Sequence, residues 1–399
     1  MPALFKQAAA IIKMNAASLP GRLWSATTTV FAVALTTLTL LTFLAMAAGF
    51  SRTVAGTGSK DVAIIMSAGA RAELTSNMSV ETIRLLLEAP GIAENEGGQS
   101  LMSAEALVVI EATKTAGGPA ANISFRGVTP DAMSTRAEFA ITQGRMFRPG
   151  SNEIIVGVGA GKEFAGFELG QERRLGGAAW EVVGLFEVGE TVFDSEVWAD
   201  LATVQSLFNR NGSVQALRLK LRSPNDISQV RTYADADPRL HVDVVSEQEY
   251  FAGQSRKLQL LIYFGWALAL VLAIGALAGA LNTMYAAVEE RSHESATLRA
   301  IGFGRVPVFI AAMAEAIMLA LTGAFLGSIA ALVALNGVRT STLGEGFTQV
   351  VFQLSVEPAQ LIAGLLLALV LGGVGGLLPA LRAATAPVRE LGANSRSFR

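Results

Sequence analysis

Glu289, Glu290, Arg291, Glu294, Arg299 and Arg305 form a short charged island between two long apolar runs. In a helix Glu290 and Glu294, four apart, share one side with Arg291, three before Glu294. Their chemistry is that of a charged docking surface rather than of a reaction centre. Leu298 and Ile301, three apart, would face the bilayer edge or neighbouring helices. Spacing alone leaves a plainer reading open: a loop between two membrane crossings is charged because it is wet.

Other chemistries are thinly represented. The chain has no cysteine, which excludes disulfides, thiolate metal sites and cysteine nucleophiles. His241 and His293 stand far apart with no ligand spacing around them. The stretch GVGAGKE (157–163) resembles a phosphate-binding loop. Counting back from Lys162, however, Val156 stands where glycine is required, and Glu163 where a Mg²⁺-binding Ser or Thr belongs. A glycine-rich turn before a short helix explains it, so no ATPase is expected in this chain. A single intramembrane carboxylate, Glu315, is a functional hypothesis by default. It lies about ten residues past Arg305, roughly 15 Å along a helix, close enough to the interface to pair with an arginine.

The elements that position these residues follow from composition. The 399 residues are 51% hydrophobic and only 16% charged, and mean hydropathy is +0.45, which points to a bilayer. A formal net charge of -2 gives no reason to expect nucleic acid as a partner. Residues 1–22 are read as an interfacial N-terminal helix with Lys6 and Lys13 toward anionic lipid headgroups, a plain solvated leader being the alternative. Residues 23–50, 258–288, 306–338 and 358–381 are each long and apolar enough to cross a membrane. Ala45-Met46-Ala47 resembles a signal-peptidase site, but the apolar run before it is longer than a signal peptide needs. The pairs Gly275/Gly279, Gly323/Gly327 and Gly372/Gly376 are four apart, a spacing that lets another helix approach closely.

Residues 51–257 differ in character. Predicted strands are 61–67, 105–113, 121–128, 152–157, 179–187, 214–221 and 240–246. Predicted helices are 79–89, 159–165, 201–208 and 225–236. They intermix without strict alternation, so the expected fold is a large mixed α+β extracytoplasmic domain between helices 1 and 2 of a four-helix membrane protein. Of eleven Lys and Arg outside 51–257, all but Arg339 fall on one side of such a bundle. The positive-inside rule makes that side cytoplasmic. This assigns both termini, the loop 289–305 and the tail 382–399 to the cytoplasm, with the short loop 339–357 outside.

The run from Val288 to Gly302, with Glu290, Arg291, Glu294, Ala296, Leu298, Arg299, Ala300, Ile301 and Gly302, resembles the cytoplasmic loop of MacB/FtsX-type ABC transporter permeases. RGVTPD (126–131), Gly144 to Phe147, EIIVG and WEVVGLF (180–186) are similar to that family's periplasmic core domain. GLLPALRAA (376–384) and PVREL (387–391) look like its C-terminus. The resemblance implies an inner-membrane, non-catalytic subunit. A coupling helix carrying Glu290, Arg291, Glu294, Leu298, Arg299 and Gly302 would dock on a separate ATPase. ATP and Mg would then be cofactors of that partner, none being held by this chain. Two ATPase copies and a second permease copy or paralogue are implied, with a periplasmic adaptor and an outer-membrane factor as candidate further partners. The expected function is export or extraction of a hydrophobic or amphipathic cargo: lipid, lipoprotein, peptide or drug. The alternative is ATPase-driven signalling that activates a cell-wall hydrolase.

Overall fold

Leu23–Ala55 forms one unbroken helix, α1, five residues longer than the predicted span. Three of its threonines, Thr36, Thr39 and Thr42, do not interrupt it because each turns its hydroxyl back onto the preceding turn. Thr36 donates to Ala32 O at 2.8 Å, and Thr39 and Thr42 repeat the pattern. A polar side chain satisfied this way can lie in an apolar medium. The computed structural model describes residues 23–115, 117, 120–136, 138–257, 259–290, 303–343 and 348–385, with Gln7, Ala10 and Ile11.

The remaining elements, in chain order, are β1 (Val62–Ser67), β2 (Met78–Ser79), α2 (Val80–Leu86), β3 (Met102–Thr113), β4 (Ala120–Val128), β5 (Phe139–Gly144), β6 (Glu153–Gly157), α3 (Val158–Glu163), β7 (Glu172–Leu175), β8 (Ala178–Val188), β9 (Glu196–Asp200), α4 (Leu201–Leu207), β10 (Ser213–Val214), β11 (Ala216–Lys220), α5 (Ile227–Ala236), β12 (Val242–Ser246), α6 (Glu247–Lys257), α7 (Gln259–Glu290), α8 (Arg305–Leu335), β13 (Arg339–Leu343), β14 (Gln349–Gln353) and α9 (Pro358–Thr385). The chain divides into a membrane unit, residues 1–48, 259–338 and 354–399, and an outer unit, residues 49–258 and 339–353.

Among the described residues, four helices are long and apolar enough to cross a bilayer. Their shared core is small-residue packing: Val33 of α1, Ala273 of α7, Ala320 and Ala324 of α8, and Ala368 and Leu371 of α9. Phe31, Ile274, Phe325, Val333 and Val370 point outward, as lipid-facing residues do.

The outer unit is built on one ten-stranded mixed sheet, in the order β12-β1-β11-β3-β4-β9-β6-β8-β5, with β7 beside β8. The pairs β4/β9 and β6/β8 are parallel. Because strand side chains alternate, one face collects Ala63, Ile65, Leu217, Ala104, Phe125, Val197 and Ile154 into two apolar clusters, to which α2, α4 and α5 contribute. Two of the short helices start at side-chain caps: Ser79 accepts from Thr82 N at 3.1 Å before α2, and Asp200 from Thr203 N at 3.0 Å before α4.

Several predicted elements differ. The strand expected over 214–221 is two strands, split at Gln215. That residue donates its N–H to Glu105 O and accepts from Leu107 N at 3.1 Å. β5, β7, β9 and α6 were not predicted. The loop expected over 339–357 contains the β13–β14 hairpin, which belongs to the outer unit. The last membrane helix runs to Thr385 rather than residue 381.

Candidate functional site

The opposite face of the outer sheet is not apolar. Glu105 of β3, Arg126 of β4, Glu196 of β9 and Arg218 of β11 project from four adjacent strands into a buried ionic cluster. Glu73, Arg136 and Glu247 close it from outside the sheet. Arg126 grips Glu196 in a fork, Nε to Oε2 at 2.7 Å and Nη2 to Oε1 at 2.6 Å, and reaches Glu105 at 2.9 Å and also Glu73. Arg218 binds Glu247 at 2.6 Å, Glu73 at 2.9 Å and also Glu105. Arg136 Nη1 lies 2.6 Å from Glu105. All seven side chains are buried. Burial alone would raise the Glu105 carboxyl, but Arg136, Arg218 and Arg126 hold it well below the usual carboxylate range. Glu73 is lowered in the same way, burial being outweighed by Arg126 and Arg218.

Over this cluster lies a single 3-10 turn, Val192–Ser195. The Phe193 ring is packed by three guanidinium groups, Arg136 at 4.7 Å, Arg218 at 5.5 Å and Arg126 at 5.7 Å. Arg136 also stacks on Trp198 at 4.7 Å. Gly157 and Gly159 lie so close to the Asp194 backbone that a Cβ at either position would collide with it. This accounts for the phosphate-loop lookalike: its glycines admit the turn, and α3 is only six residues long.

The same turn receives all three segments by which the apolar helices continue into the outer unit. After α1, Thr57 Oγ1 accepts from Val192 N at 3.0 Å. Before α7, Phe251 of α6 meets Phe193 edge-on at 5.9 Å. Between α8 and α9, Val351 N of the hairpin donates to Ser195 Oγ at 2.8 Å. The first two segments also touch each other. Gly58, at φ +88, passes so near Glu247 that any side chain would clash, and its left-handed backbone favours glycine independently. A second anchor holds the hairpin: Ser341 Oγ donates to Glu163 at 2.7 Å and accepts from Lys114 at 2.7 Å.

In the membrane unit, Gly323 packs on Val30 and Val33, Gly327 on Ala34 and Thr37, Gly372 on Ala320 and Ile317, and Gly376 on Ala316 and Met313. Gly275 and Gly279 depart from this pattern. Among the described residues, nothing lies within 4 Å of a Cβ built at either position, so this pair packs on none of the described helices. The α7 helix makes its contact instead through Ala273 and Leu277. Glu315 is half-buried on α8 and engaged with a partner. Glu290 is the last residue of α7, while Arg291, Glu294, Leu298, Arg299 and Gly302 lie outside the described residues, as does most of the predicted N-terminal interfacial helix.

Sequence reasoning missed the ionic cluster. Its signal was opposite charges recurring inside predicted strands, at Glu105, Arg126 and Arg218.

Residues 26–236 match the MacB-like periplasmic core domain, and residues 266–388 match the FtsX-like permease C-terminal domain. The chain belongs to the MacB/FtsX-type ABC transporter permeases. The extracellular domain of the noncanonic ABC-type transporter YknZ from Gram-positive bacteria is similar at 17% identity, over 46% of this chain and 100% of that one, with a TM-score of 0.35. The periplasmic region of MacB from Actinobacillus actinomycetemcomitans is similar at 10% identity, over 48% and 91%, with a TM-score of 0.37. No curated protein matches the chain significantly. As a permease of this family with four apolar helices, it is an inner-membrane subunit of an ABC transporter with a periplasmic domain, and an ABC ATPase is its partner.

Proposed function

We propose that this permease couples ATP hydrolysis by a separate ATPase to movement of its periplasmic domain, and so drives export or extraction of a hydrophobic or amphipathic cargo. The observation that carries the reading is the convergence of Thr57, Phe251 and Val351 on the turn Val192–Ser195. Three segments continuous with all four apolar helices meet one rigid point, seated on a buried charge cluster at the middle of the sheet. A displacement of those helices is thereby delivered to the sheet as a whole rather than absorbed in loops. Close-packed interfaces transmit such movements because they do not deform continuously.

In this reading both termini and residues 289–305 are cytoplasmic. Glu290, Arg291, Glu294 and Arg299 contact or position the ATPase, which holds ATP and Mg and works as a pair. A second permease copy or paralogue completes the assembly.

Two variants of the co-purified complex test the two ends of the chain of events. Exchanging the charges at Arg291 and Glu294 is expected to lower ATPase activity or assembly. Combining Thr57→Val with Ser195→Ala is expected to leave ATP hydrolysis in place while cargo export or lipoprotein release falls. Full export by the second variant would remove the turn from the mechanism, and unchanged assembly and hydrolysis by the first would remove the loop.

A further inference from the structure

Beside the Val192–Ser195 turn is a small chamber of about 40 Å³, enough for a water molecule. Thr191, Asp194, Glu187 and Glu190 line it from the sheet side, and Arg339 and Val351 from the hairpin. The Thr191 hydroxyl is buried and makes no hydrogen bond among the described residues. Asp194 is 6% exposed and accepts from Val188 N at 2.6 Å. The next residue, Ser195, is the one that takes the Val351 amide. The two elements that define the chamber are therefore the two halves of the hairpin anchor.

Among the residues that line the chamber, the charges do not balance. Glu187 comes from β8, Glu190 from the following turn, and Arg339 from β13. On α3, Glu163 is already paired with Lys114 at 2.7 Å, and Lys162 is that helix's other charge; on β6, Glu153 is held by Arg145 at 2.6 Å. A charged Asp194 thus makes a third carboxylate for the one guanidinium lining the chamber.

We propose that Asp194 is a proton-operated latch for the 339–353 hairpin: when neutral it lets the hairpin seat on the turn, and when ionised it draws water into the chamber and loosens that seat. Burial pushes the Asp194 carboxyl up to about 6, and Glu187 and Glu190 raise it further against the N–H groups of Val188 and Glu190. With the hairpin lifted, the carboxyl returns toward the ordinary value near 3.9. A group that binds its proton more tightly in the seated state favours seating in acid. That advantage is complete below about pH 4, falls as pH rises toward about 6, and is gone above it.

The test is amide hydrogen exchange of the hairpin in the full chain reconstituted in lipid nanodiscs, corrected for intrinsic rates. Protection of β14 is expected to be about tenfold greater at pH 5.0 than at pH 7.5, and the ratio should collapse toward one in Asp194→Asn. A wild-type ratio near one, or the same ratio in the variant, overturns the proposal. Should Asp194→Asn fail to fold, Glu187→Gln takes its place. Losing that neighbouring charge must move the pH midpoint downward, and an unmoved midpoint counts against the latch. Because no ATPase or cargo enters the measurement, its failure is distinct from failure of the transport reading.

Discussion

Arg218 Nε donates to Glu247 Oε1 at 2.6 Å, joining a central strand to the first residue of α6, the helix after which the chain returns to apolar sequence. Both groups are buried. Neither is screened by solvent, so each holds its place only while its partners are present.

Glu105 is the member of this cluster shared by Arg126, Arg136 and Arg218. Glu105→Gln should destabilise the outer unit by about 3–5 kcal/mol. Glu247→Gln should cost less, because Arg218 keeps Glu73 and Glu105. Thermal unfolding followed by fluorescence of the buried Trp180 and Trp198 ranks the two, and equal losses would contradict a shared centre at Glu105.

The cluster also sets the acid limit. Glu73 and Glu105 are depressed in the folded protein, so their contribution is present above the ordinary carboxylate range and withdrawn as pH falls through their lowered values. These carboxylates should cost the outer unit no melting temperature between pH 7 and about pH 5, and destabilise it only below about pH 4. A steep loss between pH 6 and 5 would show that these carboxylates are protonated too easily for the ion pairs described.

Ser195 and Lys114 hold the same hairpin with unequal strength. Ser195→Ala leaves the Val351 amide buried without an acceptor, at about 1–3 kcal/mol. Lys114 and Glu163 are about a quarter exposed, and Lys114→Met should cost less than about 1 kcal/mol. Hydrogen exchange at Val351 should rise sharply in the first variant and little in the second.

Glycine pairs with the same spacing should answer differently to enlargement. Gly376→Val forces a methyl-bearing carbon into Ala316 and Gly372→Val into Ala320, each costing about 1–3 kcal/mol through overpacking. Gly275→Val meets none of the described residues and should leave the unfolding temperature unchanged.

Why those pairs were indistinguishable beforehand is physical. Four-residue spacing reports that a smooth stripe exists, not which neighbour it meets, and Gly275 and Gly323 differ only in what tertiary packing brings opposite them. The strands of the outer unit were legible where β-branched runs fill them, as in β1, β6 and β8. They were not where burial on both faces takes unusual residues, as in EVWAD of β9, all five positions of which are buried. Charges are ambiguous for the same reason: Arg126 alternates with Phe125 as a surface residue would, and only the cover supplied by Phe193 and Glu73 puts it inside. The longest apolar runs were legible as membrane-length helices because length and composition alone define them.

The outer sheet's anchor includes a hairpin encoded more than eighty residues beyond the end of the main domain. A hybrid permease that transplants residues 49–258 from one relative to another would therefore pair Ser195 and Gly159 with a foreign counterpart. Swapping specificity between family members calls for moving three joints together, the hairpin among them, and a graft made at two should assemble yet transmit poorly.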